Sequence, residues 1–186
     1  MTGLDALALP ILLSAVIVFA ASSLIHMLLP WHKNDYRRLP REDEALAAFR
    51  SLGITPGDYM APMTTSMEEL RSPEFKEKMK QGPFVILTLV RGGSTGMAKS
   101  LVLWFLYILV ISIFAGYVAG RALPPGSPYL AAFRFAGTTA FVAHAVGLWQ
   151  MSIWYHRSWL TTFKATVDGL VYALLAGGVF GWLWPR

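Results

Sequence analysis

Four stretches of the 186-residue chain stay apolar long enough to cross a hydrocarbon layer, which takes about 20 such residues. They cover residues 6–31, 97–122, 129–155 and 160–184, and only short hydrophilic joints separate the last three. The pattern predicts an all-α membrane protein, a bundle of four transmembrane helices. Residues 1–31 carry the first span, 32–96 form a small cytoplasmic insert, and 97–186 carry the other three. The leading MTGLDA has no Lys or Arg, whereas a secretory signal wants a basic start. The first run therefore reads as a retained span.

The insert switches to shorter patterns. Residues 42–52 (EDEALAAFRSL) have acids at the positive end of the helix dipole, and Leu46, Phe49 and Leu52 share a face. Thr55-Pro56-Gly57-Asp58 reads as a turn. Ser66-Met67-Glu68-Glu69 has capping-box spacing. Ser72-Pro73-Glu74 opens a helix that Gly82 stops. Residues 84–90 (FVILTLV) are too few to span and too β-branched to favour helix. They predict a strand or a segment lying on the membrane, with residues 59–63 as the candidate partner strand.

Within the spans, small residues recur every fourth position, which places them on one helix face. The fourth run has Ala165, Gly169, Ala173, Gly177 and Gly181; the second has Ser112, Gly116 and Gly120. On the third, Ala132, Ala136 and Ala140 lead to His144. On the first, Ser14, Val18 and Ser22 lead to His26. Inside lipid, close approach of backbones through small residues is what brings helices together. The rows predict tight packing, against a helix of this chain or of another.

Composition agrees with a membrane protein: hydrophobic residues make up 55% of the chain. Absence of cysteine excludes disulfides, thiolate metal sites and cysteine nucleophiles. The net charge of +5 is not a nucleic-acid signal, because eleven of the sixteen Lys/Arg and nine of the eleven acids lie together between Lys33 and Lys99. Basic residues flank the spans instead. Lys33, Arg37, Arg38 and Arg41 follow the first, Arg91 and Lys99 precede the second, and Arg157 and Lys164 lie between the third and fourth. The positive-inside rule puts both termini outside and the insert in the cytoplasm, with Arg121, Arg134 and Arg186 on the opposite side. Trp31, Trp154, Trp159, Trp182 and Trp184 stand near the boundaries as interfacial anchors.

Three ionisable residues interrupt the apolar text: His26, His144 and Asp168. A charge in hydrocarbon costs at least a few kcal/mol, so each needs a partner, water or a purpose. At ~1.5 Å per residue they lie ~7, ~15 and ~12 Å from the inner boundary. All three sit on or beside a small-residue face, so the spacing predicts one hydrogen-bonded cluster, joined by Ser22, Ser23 or Lys164. Such a cluster can fix helix register, or relay protons or ions, since histidine titrates near neutrality. His26 and His144 could also be axial ligands to a b-type haem. Their ~8 Å difference in depth is awkward for one iron, no CxxCH occurs, and His32 and His156 read as boundary residues. Residues 93–100 (GSTGMAKS) follow a phosphate-loop pattern except at Ala98, but an apolar span follows where a nucleotide domain would be needed. Arg134 is expected to snorkel outward, and Thr138 and Thr139 to bond backbone or a neighbouring helix. No nucleophile, base and orienter stand at usable spacing. The reading therefore expects no catalytic residues, no metal and no cofactor.

The stretches PWHKNDYRRLP, WFLYILVISIFAGYVAGRAL and DGLVYALLAGGVFGWLWP resemble a family of small four-span bacterial membrane proteins to which no function is attached. The resemblance implies a bacterial cytoplasmic membrane and brings no site residues. The leading expectation is a non-enzymatic, oligomerising or accessory subunit of a membrane assembly. It would meet the lipid bilayer and either its own copies or a partner membrane subunit through Gly116, Gly120, Gly169, Ala173, Gly177 and Gly181. The alternatives are a small proton- or ion-coupled channel or transporter using His26, His144 and Asp168, and a haem protein.

Overall fold

A computed structural model describes residues 1–92 and 96–186. The chain divides into two compact units, one of Met1–Arg37 with Thr95–Arg186 and one of Arg38–Ser94.

The first unit is helical. α1 (Ala8–Met27), α5 (Met97–Ala122) and α8 (Trp159–Trp182) are long and apolar enough to cross a membrane. α6 (Tyr129–His144) has 16 residues and falls short of that length. The third apolar run is thus not one helix. It breaks after His144 into a 3-10 turn (Val146–Leu148) and the short α7 (Trp149–Ile153). The break has a local cause. Ala145 caps the helix with its φ opened to −116°, and the Leu148 amide bonds the Ala145 carbonyl at 3.1 Å. Gly147, a poor helix former, lies inside the turn.

Small residues turn inward and large apolar ones outward. Leu9, Leu12 and Val16 of α1, Val102, Leu106 and Phe114 of α5, and Phe163 and Leu174 of α8 are exposed. The most extensive helix contact is between α6 and α8. A β-carbon at Gly177 would stand 2.9 Å from the Phe133 carbonyl oxygen, and one at Gly181 2.9 Å from that of Tyr129. One at Gly169 would meet the Ala145 side chain at 2.8 Å. Ala173 is buried in a cluster with Ala140, Tyr172, Ala176 and Ile108. Gly116 faces Ile11 and Phe180, and Gly120 faces Thr2 and Leu7. Each small-residue row therefore has its partner helix within the same chain.

In the second unit, α2 (Glu42–Ser51), α3 (Met67–Arg71) and α4 (Pro73–Gln81) accompany an antiparallel pair, β1 (Gly57–Ala61) and β2 (Val85–Leu89). The register pairs Tyr59 with Leu87, and Thr88 donates across to Asp58 at 2.6 Å. β1 begins two residues before the expected 59–63, at the end of the Thr55–Asp58 turn. The caps are where the spacing puts them. Ser66 accepts from the Glu69 amide at 3.3 Å and Ser72 from the Phe75 amide at 3.1 Å. α4 stops at Gly82, whose φ of +60° suits glycine. Of the phosphate-loop-like stretch, Gly93, Ser94 and Thr95 lie outside the described residues.

Candidate polar site at the ends of α1 and α8

The C-terminal end of α1 meets the N-terminal half of α8 through a 3-10 turn. Pro30 opens that turn with its fixed φ and missing amide hydrogen, and Pro30–His32 folds the chain back beside α1. This lays the His32 ring flat on the His26 ring, with centroids 4.3 Å apart and planes 4° from parallel. His32 then reaches two acids. Its Nδ1 lies 2.7 Å from Asp35 Oδ2 and its Nε2 2.8 Å from Asp168 Oδ2. The other Asp35 oxygen accepts from Lys164 Nζ at 2.8 Å. A continuous chain results: Lys164, Asp35, His32, Asp168. Lys164 also stands over the Trp31 ring at 5.8 Å.

Burial makes these contacts matter. Asp168 and Lys164 are buried, and His32 and Asp35 nearly so. Burial on its own would raise the Asp35 carboxyl. Hydrogen bonds from Lys164 and His32 outweigh that and hold it below the usual carboxylate range. Asp35 is thus ionised at neutral pH, so Nδ1 of His32 must donate to it. His26 Nδ1 lies 2.9 Å from the Ser22 carbonyl oxygen, which can only accept. Both imidazoles therefore carry hydrogen on Nδ1.

A cavity of about 400 Å³ adjoins the cluster, bounded by His26, Ser23, Trp104, His144, Asp168 and Tyr172 among others. Two of its walls carry polar groups outside the ionic chain. Tyr172 is 3% exposed, and its hydroxyl has no hydrogen-bond partner among the described residues. The buried His144 stands edge-on to Trp104, Tyr107 and Tyr172, with centroids 6.4, 5.8 and 5.4 Å away. Trp104 donates to Ser22 Oγ at 2.8 Å, fixing one wall.

Of the three expected cluster members, His26 and Asp168 come together with their ligand-type atoms within 4.8 Å of each other and of His32. His144 does not join by hydrogen bond. It faces the same cavity from an aromatic setting. Lys164 joins as expected, but through Asp35. Ser22 joins through its carbonyl, while its hydroxyl and that of Ser23 are spent on Phe19 O. His32 and Asp35 escape the sequence reading because they lie beyond the apolar run. The available signal is their three-residue spacing just after Pro30. Thr139 bonds the Phe135 carbonyl of its own helix at 2.8 Å, and Arg134 is exposed.

Comparison with family models, with curated proteins and with solved structures found no match. The site's own geometry carries the functional argument.

Proposed function

We propose that the chain is an integral membrane protein of four crossings that works as a small ion-coupled channel or transporter. Three crossings are α1, α5 and α8. The fourth is α6 continued through its broken end and α7; irregular backbone at membrane depth is tolerated where it lines a cavity. The insert lies in the cytoplasm and both termini outside, in the bacterial cytoplasmic membrane that the resemblance implies. The apolar outer faces and the small inner ones support the membrane reading.

The observation that carries the transport reading is the position of Asp168. It ends the ionic chain from Lys164 on one side and bounds the cavity on the other. An ionisable group so placed between helices marks an ion or substrate path by default. Beyond it, Tyr172 offers an unsatisfied hydroxyl, and His144 bounds the same cavity. The other expectation, an accessory subunit associating through small-residue rows, loses the surface that carried it, since those rows are filled from within. Association would have to use the large apolar side chains that face lipid.

The test is ion flux into vesicles of bacterial lipid holding the purified protein, with H⁺, Na⁺, K⁺ and Zn²⁺ gradients imposed in turn. At least one ion should move faster than in empty vesicles, and Asp168→Asn should abolish that excess while Arg134→Gln leaves it. Flux equal to empty vesicles for every ion sinks the reading.

A further inference from the structure

The geometry points to a binding site for one divalent transition-metal ion, held by His26 Nε2, His32 Nε2 and a carboxylate oxygen of Asp168. The inference rests on the ion-coupled reading for its role, and on this arrangement alone for its existence.

Three features single out this set. First, the ligand-type atoms of these residues lie within 4.8 Å of one another. Ligands of one ion at bond lengths of about 2.1 Å sit roughly 3–3.5 Å apart, so closure needs small side-chain rotations. Second, the tautomers are right. With hydrogen on Nδ1 of both rings, held by Ser22 O and by Asp35, each Nε2 is the nitrogen available to an ion: that of His26 offers its lone pair directly, and that of His32 does so once the hydrogen it shares with Asp168 is released to water. Third, the outer partners match those that support metal ligands. A histidine ligand characteristically gives its other N–H to a carboxylate or a backbone carbonyl, which fixes the ring and strengthens the donor. His32 has the carboxylate and His26 the carbonyl. Lys164 in turn secures the far oxygen of Asp35. A metal ion takes the place of the hydrogen that now bridges His32 Nε2 and Asp168 Oδ2 at 2.8 Å.

The donor set decides the class of ion. Two imidazoles and one carboxylate suit Zn²⁺, Fe²⁺, Co²⁺ or Ni²⁺, whereas Mg²⁺ and Ca²⁺ prefer oxygen alone. The two rings lie parallel, so binding must tilt one of them. His26 is the ring that turns, because its one hydrogen bond is to its own helix and its side chain is exposed. Three protein ligands leave a position open, and the cavity walled by His26 and Asp168 provides room for water or an exchanging ligand there.

The experiment is calorimetric titration of the full chain, purified in detergent without a polyhistidine tag and stripped with EDTA, against ZnCl₂ and MgCl₂. Zn²⁺ should bind at one ion per chain and Mg²⁺ should not. His26→Ala and Asp168→Asn should each weaken Zn²⁺ at least tenfold, and Asp35→Asn about ten- to a hundredfold as a positioning change. His156→Ala should leave affinity unchanged. Circular dichroism confirms that each variant is folded, and His26→Ala, which removes an exposed ring, keeps the test alive if Asp168→Asn unfolds. Absent Zn²⁺ binding, or binding that His26→Ala leaves intact, overturns the inference. The two proposals separate cleanly. One tightly bound Zn²⁺ with no flux of any ion overturns transport and sustains the site. Flux of another ion without Zn²⁺ binding sustains transport and overturns the site.

Discussion

The two halves of α8 bury their inner faces for opposite reasons. From Gly169 to Gly181 the row facing α6 carries only Gly169, Ala173, Gly177 and Gly181, so that the backbone of α6 can come close. The would-be β-carbons at Gly177 and Gly181 lie 2.9 Å from carbonyl oxygens. From Thr161 to Asp168 the same helix buries Thr161, Thr162, Lys164 and Asp168. Each of these except Thr161 has a named polar partner: Ser152 for Thr162, Asp35 for Lys164 and His32 for Asp168. One half is held by dispersion between close backbones, the other by hydrogen bonds and ion pairs across a gap that includes a cavity. The face packed on α6 has no slack for a ligand, whereas the polar half keeps side chains that can exchange partners. Binding chemistry belongs to the second.

The most damaging test of the contrast is Gly177→Leu. No rotamer relieves a β-carbon already against Phe133 O and 3.2 Å from Gly137 Cα. The variant should lose about 3 kcal/mol, read as a large fall in the thermal midpoint in detergent. Gly178→Ala, whose β-carbon would meet nothing nearer than the Tyr129 hydroxyl at 3.7 Å, should match the parent or exceed it slightly. Equal tolerance at both positions would mean the halves do not differ in packing. In the polar half, Lys164→Met removes a partner from an ionised, mostly buried Asp35. It should lose about 1–3 kcal/mol, and adding Asp35→Asn should recover part of that.

Acidification probes the same pair more gently. The Asp35 carboxyl is held below its ordinary value, so its stabilisation is complete above about pH 4 and is lost as pH falls through the lower folded value. The thermal midpoint of the metal-stripped protein should drop as pH falls below about 4, and Asp35→Asn should flatten that drop. The smallest effect belongs to Tyr172→Phe. Its hydroxyl has no partner among the described residues, so removing it should change stability by less than about 0.5 kcal/mol. A larger loss would reveal a partner and narrow the difference between the halves.

How much of this was legible in the sequence follows from where the information is local. Apolar length predicts α1, α5 and α8, and period-four small residues predict which faces turn inward. Caps at Ser66 and Ser72 and the stop at Gly82 are legible because capping is decided within four residues. The break after His144 is not, since residues 129–155 read as one apolar run in which a lone Gly147 does not by itself stop a helix, and the packing of Ala145 against Gly169 joins residues far apart in sequence. The candidate site is half legible. His26 and Asp168 stand out against hydrocarbon, but His32 and Asp35 look ordinary in PWHKND. They become partners of Asp168 only because the turn at Pro30 doubles the chain back, and a contact 136 residues away leaves no local mark.

The chain's two ends are stitched to one turn. The Thr2 amide bonds Gly120 O at 2.7 Å and its hydroxyl bonds Leu123 O at 2.9 Å. Pro185 O accepts from the Gly126 amide at 2.8 Å, and the Trp184 indole donates to Pro124 O at 3.0 Å. This has a consequence for biosynthesis. The ribosome delivers α1 first, yet its neighbours α5 and α8 arrive much later. Until α5 and α8 emerge, the α1 face that carries Ile11, Ala15 and Val18 has no partner helices to bury it. α1 is therefore made before α5 and α8 and buried only after them, and a chain truncated before Trp184 leaves that seam open.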